Sequence, residues 1–249
     1  MHTVLSDVSK NTHTYTYICG LFVTGKSILP VTTCKRDSDH YSTCLKRAIE
    51  EAWPKFIAGL PEFDFPPLDP LIYDYGKVLL RSGEIRGELI VSNLTATGLS
   101  KARFLDVTTH FLDDVFRLKI DVLVPKLFIK GAVTLDGTLN VFRLASKGLF
   151  NVTLEDVRQL WDFSGHVVND TWILEHFHIA PSFGKFKVSY ESLIEEDKQF
   201  NDIVVSFINE FWPAIYRVVL PFLSNIWDPY LFNIANEIFL NVSFSEIFP

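Results

Sequence analysis

The thirteen residues Gly59 to Leu71 read GLPEFDFPPLDPL, and their four prolines constrain the chain more than any other feature. Pro61, Pro66, Pro67 and Pro70 hold φ near about −65° and push the residues before them out of the helical region, which predicts an extended ribbon. Leu60, Phe63, Phe65 and Leu68 are then carried across a surface in a stiff, low-entropy segment. The same composition also suits a rigid linker.

Upstream, Leu45, Ala48, Ile49, Ala52, Phe56 and Ile57 recur at the spacing of one helix face, while Lys46, Arg47, Glu50 and Glu51 take the other. This predicts a helix from Ser42 to Ala58 with Pro54 as a possible kink. Downstream, Phe116, Leu118, Ile120, Val122 and Val124 alternate with Arg117, Lys119, Asp121 and Leu123, the period of a strand with one face on a core. Similar strands are expected over Leu71 to Leu80, Glu84 to Ala96, Arg103 to Phe111, Leu127 to Leu135, Thr138 to Ala145, Leu149 to Asp162 and His166 to Ile179. Gly131, Gly137, Gly148, Gly165 and Gly184 punctuate them at turns or bulges, so an antiparallel, strongly curling meander is expected.

After Gly184 the period changes. Ile208, Phe211, Ile215, Val218 and Phe222 repeat at alternating three and four, predicting a helix from Asp197 to Leu240. Pro213, Pro221 and Pro229 fall every eight residues, each removing a backbone hydrogen bond and bending the helix to suit the inside of a curved sheet.

With 48% apolar and 21% charged residues, the 249-residue chain can bury a large core, as one elongated domain or two fused halves. The net charge of −7 and the lack of any Lys/Arg cluster argue against nucleic acid and anionic membrane surfaces as partners. The apolar region Ile203 to Trp227 is broken by Glu210 and Arg217, and its uncharged run Val218 to Trp227 is too short to span a bilayer, so no transmembrane segment is expected.

Residues 1–33 read as a signal peptide or an N-terminal extension, with 34–249 as the folded domain. Tyr15 to Val23 is a short apolar run ending near Thr24-Gly25, as a signal core would, although the stretch before it is polar with one lysine, Lys10. Cys19 lies in that run, so cleavage beyond it leaves Cys34 and Cys44 as an even pair close enough to bridge, stabilising the domain by about 2 to 3 kcal/mol. Two free buried thiols are the alternative. Asn93, Asn151, Asn169 and Asn241 each open an Asn-x-Ser/Thr sequon, which favours export, with Asn241 closing a helix.

Gly20 to Ser27 satisfies the pattern of a phosphate-binding loop, but Pro30 and the β-branched Val31 to Thr33 follow where a helix is required. No Gly-x-Ser-x-Gly, His-Glu-x-x-His or Cys-x-x-Cys motif occurs. His176 and His178 share one strand face, which suits a solvated face better than a metal site. The acidic pairs Asp113-Asp114 and Glu195-Glu196 are explained by turns and helix starts. No catalytic residue, metal or cofactor is assigned.

The order Cys34, nine residues, Cys44, amphipathic helix, Gly-Leu-Pro-Glu-Phe, Pro-Pro-Leu-Asp-Pro-Leu resembles the N-terminal signature of the insect takeout and juvenile-hormone-binding family. So do Asn93 to Ser100, the glycine-punctuated strands from Lys130-Gly131 to Lys147-Gly148, and the long aromatic helix with Asn-Glu-Ile-Phe near its end. The resemblance covers Cys34 to Pro249. It implies an α+β fold in which a curved antiparallel sheet wraps a long kinked helix, as in the superfamily of bactericidal/permeability-increasing protein. It also implies an internal apolar tunnel and a secreted, monomeric hemolymph carrier of a small hydrophobic ligand: a terpenoid, a fatty acid, a similar lipid, or juvenile hormone. Moth juvenile-hormone carriers of this family hold a second disulfide farther along, and the lack of cysteine after Cys44 brings the chain closer to the takeout branch.

The cleanest single-faced apolar rows, Phe116, Leu118, Ile120 and Val122 on a strand and Phe207, Phe211, Ile215 and Phe222 on the helix, are the expected tunnel walls. Trp53 and Phe56 are expected at a mouth gated by the short helix and the proline ribbon. With 22 Phe, 5 Trp and 8 Tyr, large stiff rings line the interior, and two rival readings follow: a secreted interaction or structural module whose aromatic core is packed solid, and a secreted lipid-modifying enzyme for which no nucleophile and base can be paired.

Overall fold

The computed structural model describes residues 28–82, 85–193 and 198–249. Tyr15 to Val23, Cys19, the loop Gly20 to Ser27, and Glu195 and Glu196 lie outside the described residues.

Helix α1 (Tyr41–Ala58) forms where its periodicity places it and buries Leu45, Ala48, Ala52 and Trp53. A disulfide between Cys34 and Cys44, with Cα atoms 5.9 Å apart, ties the preceding loop to its first turn. The proline segment departs from the expected ribbon. Pro61–Phe63 is a single 3₁₀ turn, Asp64 adopts a left-handed φ of 51°, and Leu60 pairs back with Phe65. The reason is positional: Pro61 opens the turn, where a missing N–H costs nothing, so its fixed φ favours the turn as readily as an extended chain. Phe63 and Phe65 thereby bury against Ile238 and Val242 instead of running along a surface.

Seven antiparallel strands follow: β1 (Leu71–Ser82), β2 (Ile85–Thr97), β3 (Arg103–Leu112), β4 (Val115–Leu139), β5 (Phe142–Val168), β6 (Thr171–Ser182) and β7 (Lys185–Ser192). The sheet is not a simple meander. Its main order is β1-β2-β4-β5-β6, with β3 pairing with β4 and β7 with β5. One end of the long β4–β5 ribbon is therefore flanked by β3 and β6, and the other by β2 and β7.

Several expected strand ends turn out to be interior. Gly131 and Gly137 sit within β4 and Gly148 within β5; a Cβ on Gly137 would lie 2.6 Å from the Arg86 carbonyl oxygen, so side-chain loss there permits close backbone approach. Gly165 does mark a bulge, where the β5–β6 register slips after Ser164. The gap between Val124 and Leu127 is an inversion of the pleat. Val124 pairs with Val157 and Lys126 with Glu155, leaving Pro125 and Asp156 (φ 56°) out of the alternation on both strands at once. Inward residues on β4 change there from the even row, Phe116 to Val124, to the odd row beginning at Leu127.

Helix α2 (Lys198–Phe239) runs along β6 and β7 and reaches β1. Of the bends expected at three prolines, non-helical backbone occurs at Phe211 (φ −106°, ψ 16°), two residues before Pro213. A short helix α3 (Phe244–Ile247) closes the chain, capped by Ser243, whose Oγ accepts from the Glu246 N–H. The core gathers where β3–β6 meet α1 and α3. Phe116 is fully buried there, its ring centroid 4.7 Å from Phe248, 4.9 Å from Trp172 and 5.0 Å from Phe244.

Candidate ligand-binding site

The two ends of the sheet differ in how their inner faces are covered. At the end flanked by β3 and β6, Phe116, Leu118, Ile120, Val122 and Val124 are all buried. Beyond the pleat inversion, burial relaxes. Leu127, Val91 and Leu154 are still covered, but Leu89, Val133, Leu135, Phe150, Val152, Val188 and Tyr190 are only half-buried. By register and alternation these share one face, with Leu89 opposite Leu135, Val91 opposite Val133, and Val188 opposite Val152.

The facing helix is equally loose. Residues Asn201–Pro221 form a stretch long and apolar enough to cross a membrane by length and composition, despite Glu210 and Arg217 within it. No residue from Asp202 to Pro221 is fully buried. Ile203, Phe207, Phe211 and Val218 are 64%, 55%, 51% and 68% exposed. Phe207 and Phe211 pack against each other at a tilt of 40°, with centroids 4.9 Å apart.

Polar side chains hold α2 in place. Asn209 accepts from the Val188 N–H at 2.7 Å and donates to the Val188 carbonyl at 2.9 Å, imitating a neighbouring strand on the free edge of β7. The Tyr216 hydroxyl donates to the Pro181 carbonyl on β6, and the Tyr230 hydroxyl to the Ile72 carbonyl on β1, each at 2.8 Å. Burial pushes the Tyr216 phenol up to about 12 and raises Tyr230, which also feels Asp74 and Tyr73. Both phenols therefore stay protonated and able to donate. These three residues, spaced by seven and fourteen, fall on one helix face. Apolar periodicity does not single them out; polar residues at heptad spacing inside an apolar helix are the signal the sequence holds for them.

The expected site residues divide accordingly. The strand row Phe116, Leu118, Ile120 and Val122 lies in the packed core, away from the loosely covered face. Phe207, Phe211 and Ile215 lie on the loose half of α2, and the Phe222 side chain lies outside the described residues. Trp53 is enclosed instead of standing at an opening: it is 8% exposed, its Nε1 donates to the Leu99 carbonyl at 3.0 Å, and its ring meets Phe104 and Trp161. Phe56 is half-buried against Phe65. His176 and His178 are exposed, and His178 pairs with Asp228 at 3.2 Å.

Asn93, at a bulge with φ 51°, and Asn169, in the β5–β6 turn with φ 50°, are exposed. Asn151 is exposed on the outer face of β5, where with Thr95, Phe128 and Lys130 it lines a groove of about 360 Å³. Asn241 is exposed, but its Nδ2 donates to the Glu237 carbonyl.

Comparison with known proteins agrees with this architecture. The circadian clock-controlled protein daywake of Drosophila melanogaster is 22% identical over 231 residues, covering 88% of this chain and 87% of that protein. Its counterpart in Drosophila yakuba is 20% identical over 233 residues, with the same coverage. The crystal structure of Takeout 1 from Epiphyas postvittana superposes with a TM-score of 0.70 at 17% identity, covering 87% of this chain and 99% of that one, and so shares the fold. Residues 16–249 match the haemolymph juvenile hormone binding protein family, and the chain belongs to that family of hydrophobic-ligand carriers.

Proposed function

We propose that this protein is a secreted, monomeric carrier that holds one small hydrophobic molecule between α2 and the inner face of the sheet beyond Pro125. The observation that carries the reading is the contrast along one strand pair: buried apolar residues before the pleat inversion, half-buried apolar residues after it, opposite a helix with no buried residue from Asp202 to Pro221. Interiors normally close-pack, so an apolar face left half-covered is suited to a ligand that completes it. A terpenoid or fatty ligand burying roughly 350 Å² there gains about 9 kcal/mol gross. Association and ordering costs bring this to micromolar or nanomolar affinity. Family membership supports export, and Cys34–Cys44 is the kind of bridge an oxidising compartment maintains.

The exposed Ile203, Phe207, Phe211 and Val218 favour a second reading, an interaction surface with no ligand inside. One experiment separates the two. Protein secreted from insect cells is titrated with N-phenyl-1-naphthylamine, and organic extracts of the same preparation are analysed by mass spectrometry. Saturable binding near one probe per chain, or a stoichiometric co-purified lipid, is expected. Failure of both sinks the carrier reading.

A further inference from the structure

A groove lies on the outer face of the sheet, opposite the side that faces α2. Its walls follow from the register. Thr97 of β2, Phe128 of β4 and Thr153 of β5 form one row across three strands, and Thr95, Lys130 and Asn151 form the next. Rows two residues apart share a face, so all six side chains border one groove of about 360 Å³. Asn151 and Thr153 are also the first and third residues of an Asn-Val-Thr sequon. Strand alternation therefore sets the acceptor amide and the sequon hydroxyl side by side on the outside of the sheet.

The groove joins polar groups to an uncovered ring. Phe128 lies directly opposite Thr153 and diagonal to Asn151, within reach of a long substituent on that amide. Lys126 stands over the ring with its Nζ 5.1 Å from the centroid, yet Phe128 remains 47% exposed. Exposed apolar side chains continue the patch: Ile72 of β1 falls in the Asn151 row beyond Thr95, and Leu149 precedes Asn151 on the same face. Apolar surface rimmed by hydroxyl, amide and ammonium groups marks a place that something covers. A sugar meets both halves of that chemistry, since its hydroxyls exchange hydrogen bonds with the rim while its C–H face packs on an aromatic ring.

Resting on the export part of the carrier reading, we infer that Asn151 carries an N-linked glycan whose first N-acetylglucosamine lies in this groove against Phe128. The donor is a polyprenyl-diphosphate oligosaccharide of the secretory lumen. Asn151 Nδ2 forms a bond to C1 of the sugar, the C1–O bond to the diphosphate breaks, the diphosphate leaves with that electron pair, and one amide proton is lost. The attached glycan shields Phe128, Ile72 and Leu149 from other molecules, which keeps an otherwise adhesive sheet face soluble.

The test uses the full chain secreted from insect cells. Peptides are mapped by mass spectrometry before and after peptide N-glycosidase A, which leaves aspartate at each occupied asparagine; occupancy of Asn151 in the majority of chains is expected. Asn151→Gln should lower the thermal midpoint by roughly 2 to 4 °C, and should have no effect in the Phe128→Ala background. If Phe128→Ala does not fold, proton spectra of the wild type decide: the first sugar's C–H signals moved upfield by the ring support the contact, and positions matching the free glycopeptide refute it. Secreted protein with Asn151 bare, or an equal effect of Asn151→Gln with and without the Phe128 ring, overturns this inference alone. Retention of the chain inside the cell with every sequon bare overturns the export reading and this inference with it.

Discussion

Leu118→Ala and Leu135→Ala make the same deletion on the same strand, on opposite sides of Pro125, and the difference between them measures whether the far half of the sheet is packed. Leu118 is 5% exposed within the core. Removing the equivalent of three methylenes costs about 2.4 kcal/mol in transfer free energy. The cavity left in a close-packed site adds to this, giving about 3 to 4 kcal/mol. Leu135 is half-buried and pairs with Leu89, itself half-buried. If its inner face borders open space, only part of the transfer cost is lost and no new cavity forms, so the expected cost is about 1 kcal/mol.

At this chain length each kcal/mol moves the thermal midpoint by roughly 2 to 4 °C, so the two variants should separate by several degrees in circular-dichroism melts. The reverse perturbation sharpens the comparison. Val122→Phe forces a ring into a fully buried position and should cost about 3 kcal/mol or more. Val133→Phe should leave stability within about 1 kcal/mol while lowering probe capacity, because the ring takes the ligand's place. Equal losses for Leu118→Ala and Leu135→Ala would show that both halves are solid core, and the ligand site would have to be abandoned.

Four further outcomes follow from named contacts. Asn209→Ala removes both bonds to the Val188 backbone and should cost about 1 to 3 kcal/mol, with faster hydrogen exchange at the Val188 amide; unchanged exchange would mean the edge is not held by this side chain. Trp53→Ala should cost about 3 to 5 kcal/mol, since Trp53 is ringed by Phe104 and Trp161; near-wild-type stability with faster probe release would instead restore it to a mouth. Burial works against the charge on Asp69, but hydrogen bonds from Ser100 and Gly98 outweigh it and hold the carboxyl below its usual range. Its contribution is therefore present above about pH 4 and lost as pH falls through the lowered folded value, amounting to no more than about 1 kcal/mol after solvent screening; Asp69→Asn should remove that acid-side slope from urea midpoints. Secreted protein should show no alkylatable thiol at Cys34 or Cys44 by intact mass until reduced, and Cys34→Ala/Cys44→Ala should lose about 2 to 3 kcal/mol; two free thiols in the native protein would contradict the bridge.

Local periodicity located the helices within a residue or two, because α1 and α2 each carry an uninterrupted apolar spacing. It divided β4 wrongly after Val124 for a definite reason. A break in alternation reads as a strand end, yet here Pro125 and Asp156 leave the pleat together on two paired strands, and only the pairing keeps the ladder continuous. The position of Trp53 was illegible for a related reason. Its enclosure depends on Leu99, Phe104 and Trp161, partners 46 to 108 residues away along the chain (99 − 53 and 161 − 53), which no local pattern reveals. The row Phe116 to Val122 has the cleanest alternation because it is the best-packed face, and the half-covered apolar face lies beyond Pro125, where the alternation changes phase.

The way α2 is attached bears on how the inner face beyond Pro125 stays half-covered. Every open sheet has edges whose unpaired backbone invites other strands, and here both flanks, β1 on one side and β6 and β7 on the other, are met by the same helix. The attachment uses three polar tips, from Asn209, Tyr216 and Tyr230, each bonded to edge backbone, together with Trp212 stacked on Phe183 and Phe186 at the same margin. A helix held at its margins can close the seam and remain above the inner face, which agrees with the half-buried Leu89, Val133, Leu135 and Val188 below it. On the proposed carrier reading, sealing and filling are separate tasks, the first done by the chain and the second left to the ligand.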